Sequence, residues 1–285
     1  MQANILGIEL NNDFSQISYY DEQIDEVVTY KTVTGEEQIP MAISYFDDQW
    51  EIGNKAMEIY KDYPDKVSKD IFNFAISRSM VYQGGIKYPA VVLLTHYIEK
   101  LLAKFSSTEY LTFVVSDANI DTTGMLISIG TRLGINKNKI FVIDNKEAFC
   151  RYMLYQPKEL WQYESALFTC DEKEMKAYML KSIKPDLDKQ REFIIVDKVG
   201  SARLDELNAI KPFVANLNKT ADESFTDFVK SIFDKKVISS VFLTGVGFED
   251  QWYPETLKYI NNGLRSFIGN NLFSKGGVYL SYSKK

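Results

Sequence analysis

The chain has few side chains that could act as nucleophiles or soft metal ligands. His96 is its single histidine, and Cys150 and Cys170 are its two cysteines. Histidine-based triads and most zinc sites need histidine or several cysteines at defined positions. His96 follows Leu94 by two residues, about 200° around a predicted helix from its apolar face. We therefore expect an ordinary exposed histidine, and the cysteine count favours a reducing compartment.

Composition limits the partners of the chain. Of its 285 residues, 33 are basic and 39 acidic, giving a net charge of −6. This balance provides no overall attraction for nucleic acid or anionic membranes. The N-terminus lacks a signal-peptide pattern, and no apolar run approaches the ~20 residues of a membrane span. We expect a cytoplasmic protein with no membrane span and no nucleic-acid partner.

In the first half, β-branched and aromatic runs predict strands, and apolar residues at helical spacing predict helices. The predicted strands cover 5–10, 15–20, 26–31, 41–46, 49–52, 110–116 and 139–143. The predicted helices cover 54–60, 88–105, 120–133 and 146–155, whereas 61–85 is weakly patterned. The later alternation of strands and helices predicts a parallel arrangement.

The second half repeats this order of elements. Strands are predicted at 164–170, 175–182, 192–196 and 237–243, and the first two flank a tight polar turn that begins at Asp171. Thr220 and Glu223 form a capping-box pattern that predicts the start of a helix. A last helix is predicted over 254–267. Each half is therefore expected to hold a small mixed sheet followed by α/β structure.

Five motifs in this order resemble the actin, sugar-kinase and heat-shock-chaperone ATPase superfamily. The similar segments are 5–15 (phosphate 1), 39–56 (a proline-led strand and a Gly-x-x-Ala turn), 89–135 (helix, strand and helix), 143–149 (connect 1) and 241–248 (adenosine), with 274–278 resembling the closing segment. The resemblance implies two ribonuclease-H-like, actin-like ATPase domains with mixed sheets flanked by helices. It places the first domain at 1–157 with 274–285 and the second at 158–273. The short chain further implies reduced outer subdomains.

The resemblance also implies a site for ATP and Mg²⁺ between the two domains, gripped by the turns of two β-hairpins. Glu9, Glu147 and Asp171 are the candidate catalytic residues, and Glu9 and Asp171 would hold Mg²⁺ if nucleotide binds. The candidate nucleotide-binding residues are Asn11, Asn12, Asp13, Glu172, Gly245 and Gly247.

Both hairpin turns depart from the pattern of the superfamily. Asn11 and Asn12 replace Gly-Thr in the first turn, and the second turn, Asp171-Glu172-Lys173-Glu174, has no glycine. Glycine matters there because backbone N–H groups must approach phosphate closely, often at positive φ. Two like charges ~5 Å apart at an effective dielectric of ~20 repel by about 3 kcal/mol, which disfavours polyphosphate beside these carboxylates.

These departures favour a protein without efficient catalysis that acts as a binding or scaffolding module, with an unidentified protein partner. One alternative is a weak Mg-ATP-dependent ATPase or kinase of the same fold. Another is a homo-oligomer, an actin-like filament subunit whose 18 tyrosines and 18 phenylalanines contribute to subunit contacts. For Glu147, interaction with a helix dipole is the alternative to a role in the site.

Overall fold

A computed structural model describes residues 3–171, 174–183, 193–203 and 215–285. The chain divides into two compact units, Met1–Tyr152 with Asn271–Lys285, and Met153–Asn270. The sequence-based division at residues 157 and 274 lies close to these limits. Both divisions return the C-terminal segment to the first unit.

The described residues form sixteen strands and eight α-helices. The strands are β1 (Ile5–Leu10), β2 (Phe14–Asp21), β3 (Glu26–Thr29), β4 (Gln38–Pro40), β5 (Ile43–Phe46), β6 (Gln49–Ile52), β7 (Val67–Ser68), β8 (Met80–Gln83), β9 (Ile86–Pro89), β10 (Tyr110–Val115), β11 (Ile140–Asp144), β12 (Glu164–Cys170), β13 (Glu174–Ile183), β14 (Phe193–Arg203), β15 (Ile238–Thr244) and β16 (Arg265–Ile268). The helices are α1 (Asn54–Asp62), α2 (Ile71–Ile76), α3 (Ala90–Leu102), α4 (Ile120–Arg132), α5 (Asn145–Leu154), α6 (Ala215–Phe233), α7 (Pro254–Asn261) and α8 (Leu272–Tyr282).

The main sheet of the first unit has the order β11-β10-β1-β2-β3, and β4 also pairs with β2. Strands β1, β10 and β11 are parallel, whereas β2 is antiparallel to β1, β3 and β4. All six residues of β1 are buried, as expected for a strand in the middle of a sheet.

The sheet of the second unit has the order β14-β13-β12-β15-β16. Strands β12, β15 and β16 are parallel, and the β12-β13-β14 meander is antiparallel. In both units, therefore, the first strand lies between an antiparallel meander and two parallel strands that follow helices. The expected α/β class, with mixed sheets flanked by helices, is confirmed.

The two faces of the first sheet are packed differently. One face contributes Leu6 and Phe113 to an apolar core with Tyr97 of α3 and Leu126 of α4. The other face lies against α8, where small and hydroxyl side chains allow close approach. The buried hydroxyls there bond in pairs, Ser18 Oγ with Ser274 Oγ at 2.8 Å and Thr112 Oγ1 with Ser281 Oγ at 2.7 Å.

Residues 41–89 form two small sheets, β6-β5-β7 and β8-β9, with α1 and α2. Gln83 is buried, and its Nε2 donates to the carbonyls of Ile43 (2.7 Å) and Lys66 (2.9 Å). This amide joins β8 to the neighbouring sheet. Structure therefore occupies 61–85, where the sequence showed little pattern.

Three predictions about local structure were wrong. The last helix ends at Asn261 rather than 267, because Gly263 adopts a φ of 108° and residues 265–268 form β16 beside β15. Helix α6 begins at Ala215, so residue 220 lies inside the helix and is not its N-cap. His96 is only partly exposed, and its ring stacks on Trp50 at a centroid distance of 4.6 Å.

Among the described residues, no helix has the length and apolarity needed to cross a membrane.

Candidate functional site

Glu9 lies near the end of β1, and its side chain is 92% buried, with a relative exposure of 8%. It faces Gln16 of β2 across the ladder, and Gln16 faces Gln38 of β4. Directly opposite side chains project from the same face of a sheet, so these residues form a polar row. Within the described part of the chain, Glu9 Oε2, Gln38 Nε2 and both amide atoms of Gln16 have no hydrogen-bond partner.

Burial also determines the protonation state of Glu9. Loss of hydration raises the pKa of the Glu9 carboxyl from 4.5 to about 8. The carboxyl is therefore neutral at pH 7. A divalent cation, which prefers ionised carboxylate oxygen, would have to offset this desolvation to bind Glu9.

The first hairpin turn, between β1 and β2, forms hydrogen bonds between its own residues. Asn11 N–H donates to the Phe14 carbonyl at 3.1 Å, and Asn11 Oδ1 accepts from the N–H groups of Asp13 (2.9 Å) and Phe14 (2.8 Å). None of Asn11, Asn12 and Asp13 has a positive φ. The backbone donors of Asn11, Asp13 and Phe14 are thus bound within an Asx turn and are not free for a phosphate.

Asn12 connects the first turn to α2. Its Nδ2 donates to Asp70 Oδ1, and its Oδ1 accepts from Asn73 N–H at 3.3 Å. Asp70 is the N-cap residue of α2 and adopts a left-handed φ of 56°. The Asn12 side chain therefore holds the start of a helix, and both polar atoms of its amide are engaged in doing so.

The second turn is closed in the same way. Asp171 N–H donates to the Glu174 carbonyl at 3.1 Å, and Asp171 Oδ1 accepts from Glu174 N–H at 2.7 Å. Glu174 also forms two ion pairs. Its Oε1 lies 3.4 Å from Lys198 Nζ, and its Oε2 lies 3.3 Å from Lys176 Nζ. Glu172, a predicted binding residue, lies outside the described residues.

Gly245 and Gly247 have a packing role beside β12. A Cβ on Gly245, which has a φ of 109°, would lie 2.2 Å from the Cys170 carbonyl oxygen. A Cβ on Gly247 would lie 2.4 Å from Cys170 Sγ and 3.0 Å from the Asp171 carbonyl oxygen. The structure thus brings Asp171, Gly245 and Gly247 together, with the glycines pressed against the end of β12.

Glu147, a candidate catalytic residue, lies in the first turn of α5, where interaction with the helix dipole was the alternative interpretation. Its Oε1 accepts from Arg151 Nε at 2.8 Å, one turn further along the helix. Its N–H donates to Asp144 Oδ1 at 2.8 Å, which makes Asp144 the capping side chain. Glu147 is therefore part of a local ion pair and capping arrangement.

The hydrogen bonds of the described turn residues and the protonation of Glu9 bear on whether Mg-ATP could bind there. The amides of Asn11, Asp13, Asp171 and Glu174 are engaged within their own turns, and Glu9 is neutral. No cluster of three or more His, Cys, Asp or Glu side chains suitable for a metal occurs in the described ranges. The described residues of the two turns, as arranged, do not offer free amides of Asn11, Asp13, Asp171 or Glu174 to a magnesium triphosphate.

Sequence reasoning missed three polar side chains that shape these regions. Gln16 and Gln38 complete the row with Glu9, and Asn270 Oδ1 accepts from Gly245 N–H at 2.7 Å. In a strand where apolar and polar residues alternate, a glutamine is expected to face solvent. Its burial becomes evident only from the strand pairing. Asn270 comes 25 residues after its partner, and no local pattern indicates that contact.

Fold and site together define an α/β protein of two units with mixed sheets and self-bonded hairpin turns. Residues 26–285 match the C-terminal family of DUF5716, a family of unknown function, and because this match spans most of the chain, the chain belongs to that family. The matched residues exclude β1, β2, Glu9 and the first turn. No curated protein matches the chain.

Proposed function

We propose that the chain is a non-catalytic relative of the actin, sugar-kinase and heat-shock-chaperone ATPases that acts as a binding or scaffolding module. The observation that carries this proposal is the closure of both hairpin turns by their own hydrogen bonds. In Asn11 and Asp171, the side chain accepts from the backbone donors of its own turn. An ATPase of this class needs those donors for phosphate.

The repeated sheet supports the proposed relationship. A duplicated mixed sheet is what two ribonuclease-H-like domains would provide, and each unit has the same strand order and directions. The return of α8 to the first unit also agrees with the closing segment implied by the resemblance. Fold likeness alone does not supply an activity, so the function is argued from the turns.

Energetically, both the binding of a nucleotide phosphate at these turns and its turnover are disfavoured. Opening either turn for phosphate would break two or three internal hydrogen bonds, each worth about 0.5–1.5 kcal/mol net. Efficient catalysis also requires donors that are preorganised around developing charge. Turns that must first unfold locally lack that preorganisation. A stable two-unit scaffold remains, with its surface available for a protein partner.

Steady-state phosphate release with Mg-ATP tests the proposal. We expect the wild-type rate to equal the buffer rate. Turnover that is abolished by Glu9→Ala or Asp171→Ala, and retained in the control Glu58→Ala, would contradict it. Glu58 is a suitable control because it is an exposed carboxylate on α1. Sedimentation with and without nucleotide tests the filament alternative, which requires species larger than dimers.

A further inference from the structure

A groove in the first unit lies where the ends of α2, α3 and α4 meet. Its cavity has a volume of about 400 Å³ and is lined mainly by apolar side chains, including Ile76, Val91 and Met125. Arg78 and Asp121 also line it. Small-molecule sites typically enclose roughly 300–1,000 Å³ and combine apolar walls with a few polar groups.

Gly124 lines this groove from the interior of α4. Glycine inside a helix is destabilising relative to alanine. Gly130 in the same helix has a packing reason, because a Cβ there would lie 2.9 Å from Ile140 Cδ1. A Cβ on Gly124 would meet nothing within 4 Å. Packing therefore does not explain Gly124, and its effect is to keep the groove wide.

Arg78 is also unusual for its position. It follows the last turn of α2 with a left-handed φ of 54°, where glycine is the usual residue. Its Nη2 lies 2.9 Å from Asp121 Oδ1. A guanidinium has five N–H donors in a planar fork. Its side chain is 81% exposed, so donors remain accessible to a second carboxylate.

Ile120 is a third unusual residue of the groove, because a large apolar side chain is exposed there. It opens α4 and is 92% exposed, although it lines the same groove. Single exposed apolar residues are common. Three residues with unfavourable local features therefore line one cavity. They are Arg78 with its left-handed backbone, Gly124 inside a helix with no close neighbour, and the exposed Ile120. Departures from local rules are expected at functional or strained sites.

We propose that this groove binds a small amphipathic carboxylate, with its apolar body beside Gly124 and Ile120 and its carboxylate on Arg78. The charge of the ligand follows from Arg78, the basic residue that lines the groove. Asp121 holds the guanidinium when the groove is empty and competes with the ligand for it. The site is independent of the proposed function, since it uses neither hairpin turn.

Octanoate and octanol form a matched pair of probes for this site, because they differ in the group that faces Arg78. Chemical shifts of the Met125 methyl group, labelled with carbon-13 and assigned with Met125→Leu, report binding in the full chain. We expect octanoate to bind about three- to tenfold more tightly than octanol, which corresponds to one exposed charged contact.

Three variants separate the parts of the proposal. Arg78→Gly suits the left-handed backbone and should abolish the preference for octanoate while sparing octanol. Asp121→Asn removes the competing carboxylate and should tighten octanoate binding by about threefold. Gly124→Leu is compatible with a helix and should weaken both probes at least about tenfold by filling the groove. Thermal unfolding verifies that each variant is folded.

Several results would overturn the proposal. They are the absence of a Met125 shift at millimolar probe, equal affinity of the wild type for octanoate and octanol, and unchanged binding in folded Gly124→Leu. An octanoate preference that survives Arg78→Gly would also contradict it, because the carboxylate would then be recognised elsewhere.

Discussion

At the scale of single residues, the polar row of Glu9, Gln16 and Gln38 shows that a carboxyl group at an expected position can lack the expected charge. Glu9 keeps the carboxyl group that the superfamily resemblance expects, but its environment removes the charge. Two glutamines beside it complete a neutral row inside the sheet. A neutral carboxyl can donate a hydrogen bond, which an ionised one cannot.

Glu9 should make the stability of the protein decrease as pH rises. The folded state keeps the Glu9 proton up to about pH 8, whereas the unfolded carboxyl loses its proton near 4.5. Ionisation therefore stabilises the unfolded state between these values, by up to about 1.4 kcal/mol per pH unit. We expect Glu9→Gln to remove this slope and to be more stable than the wild type at pH 8.

Urea denaturation followed by circular dichroism at several pH values measures this effect. The exposed Glu58→Gln serves as the control and should leave the slope unchanged. A wild-type slope equal to that of Glu9→Gln would show that Glu9 is ionised in the folded protein.

The sequence predicted the positions of the first-turn residues along the chain but not all of their contacts. Glu9 and Asn11 were expected at the end of the first strand, and β1 has the predicted bounds of 5–10. The hydrogen bonds of Asn11 follow from its short amide side chain, which commonly bonds to nearby backbone. The attachment of Asn12 to α2 joins residues about 60 positions apart, and sequence patterns do not indicate such a contact.

At the scale of elements, helix ends are stabilised from outside their own sequence. Asp222 on α6 is 3% exposed, and its Oδ2 accepts from Glu255 N–H at 2.7 Å. Its Oδ1 accepts from Thr256 N–H at 2.9 Å and Thr256 Oγ1 at 2.7 Å. The acidic residue that caps α7 thus belongs to a different helix.

Replacing Asp222 should destabilise the second unit. Asp222→Ala removes three hydrogen bonds and leaves the α7 amides unpaired, which we expect to cost about 2–4 kcal/mol. Glu223→Ala, at the adjacent exposed position, is the matched control and should change stability by less than about 0.5 kcal/mol. Hydrogen exchange of the α7 amides provides the readout, and equal protection in both variants would contradict this role.

Two glycines in the first unit should respond in opposite directions to alanine. A Cβ on Gly7 would lie 2.1 Å from the Ser274 carbonyl oxygen, because α8 packs directly on β1. Gly7→Ala should therefore cost more than about 3 kcal/mol. Gly124→Ala should stabilise by about 1 kcal/mol, since it lies in a helix beside open space. Thermal unfolding distinguishes them, and a tolerated Gly7→Ala would refute the close packing of α8.

Secondary structure was predicted well where apolar periodicity is strong. The bounds of β6 and β12 are as predicted, and α3 and α4 differ by few residues. Helix α8 was missed because Gly276 and Gly277 disfavour a helix locally. A Cβ on Gly276 would lie 2.1 Å from the Ala148 carbonyl oxygen, so tertiary packing requires the glycine. Strand β16 was missed for a similar reason, because only pairing with β15 defines it.

At the scale of the whole molecule, two units repeat one sheet while their hairpin turns have closed on themselves. The repetition supports the relationship put forward under Proposed function, and the internal bonding of the described turn residues supports the proposed absence of catalysis. The mixed sheets could be predicted because strand and helix patterns alternate along the chain. The internal bonding of the turns could not, because it depends on the geometry of a few residues.

Calorimetric titration of the full chain with ATP and Mg²⁺ tests the central claim most directly. We expect no binding tighter than about 1 mM, because phosphate at either turn must displace two or three hydrogen bonds, each worth about 0.5–1.5 kcal/mol. Micromolar binding that is lost in Asp171→Ala and retained in Glu58→Ala would contradict the account and establish a working nucleotide site.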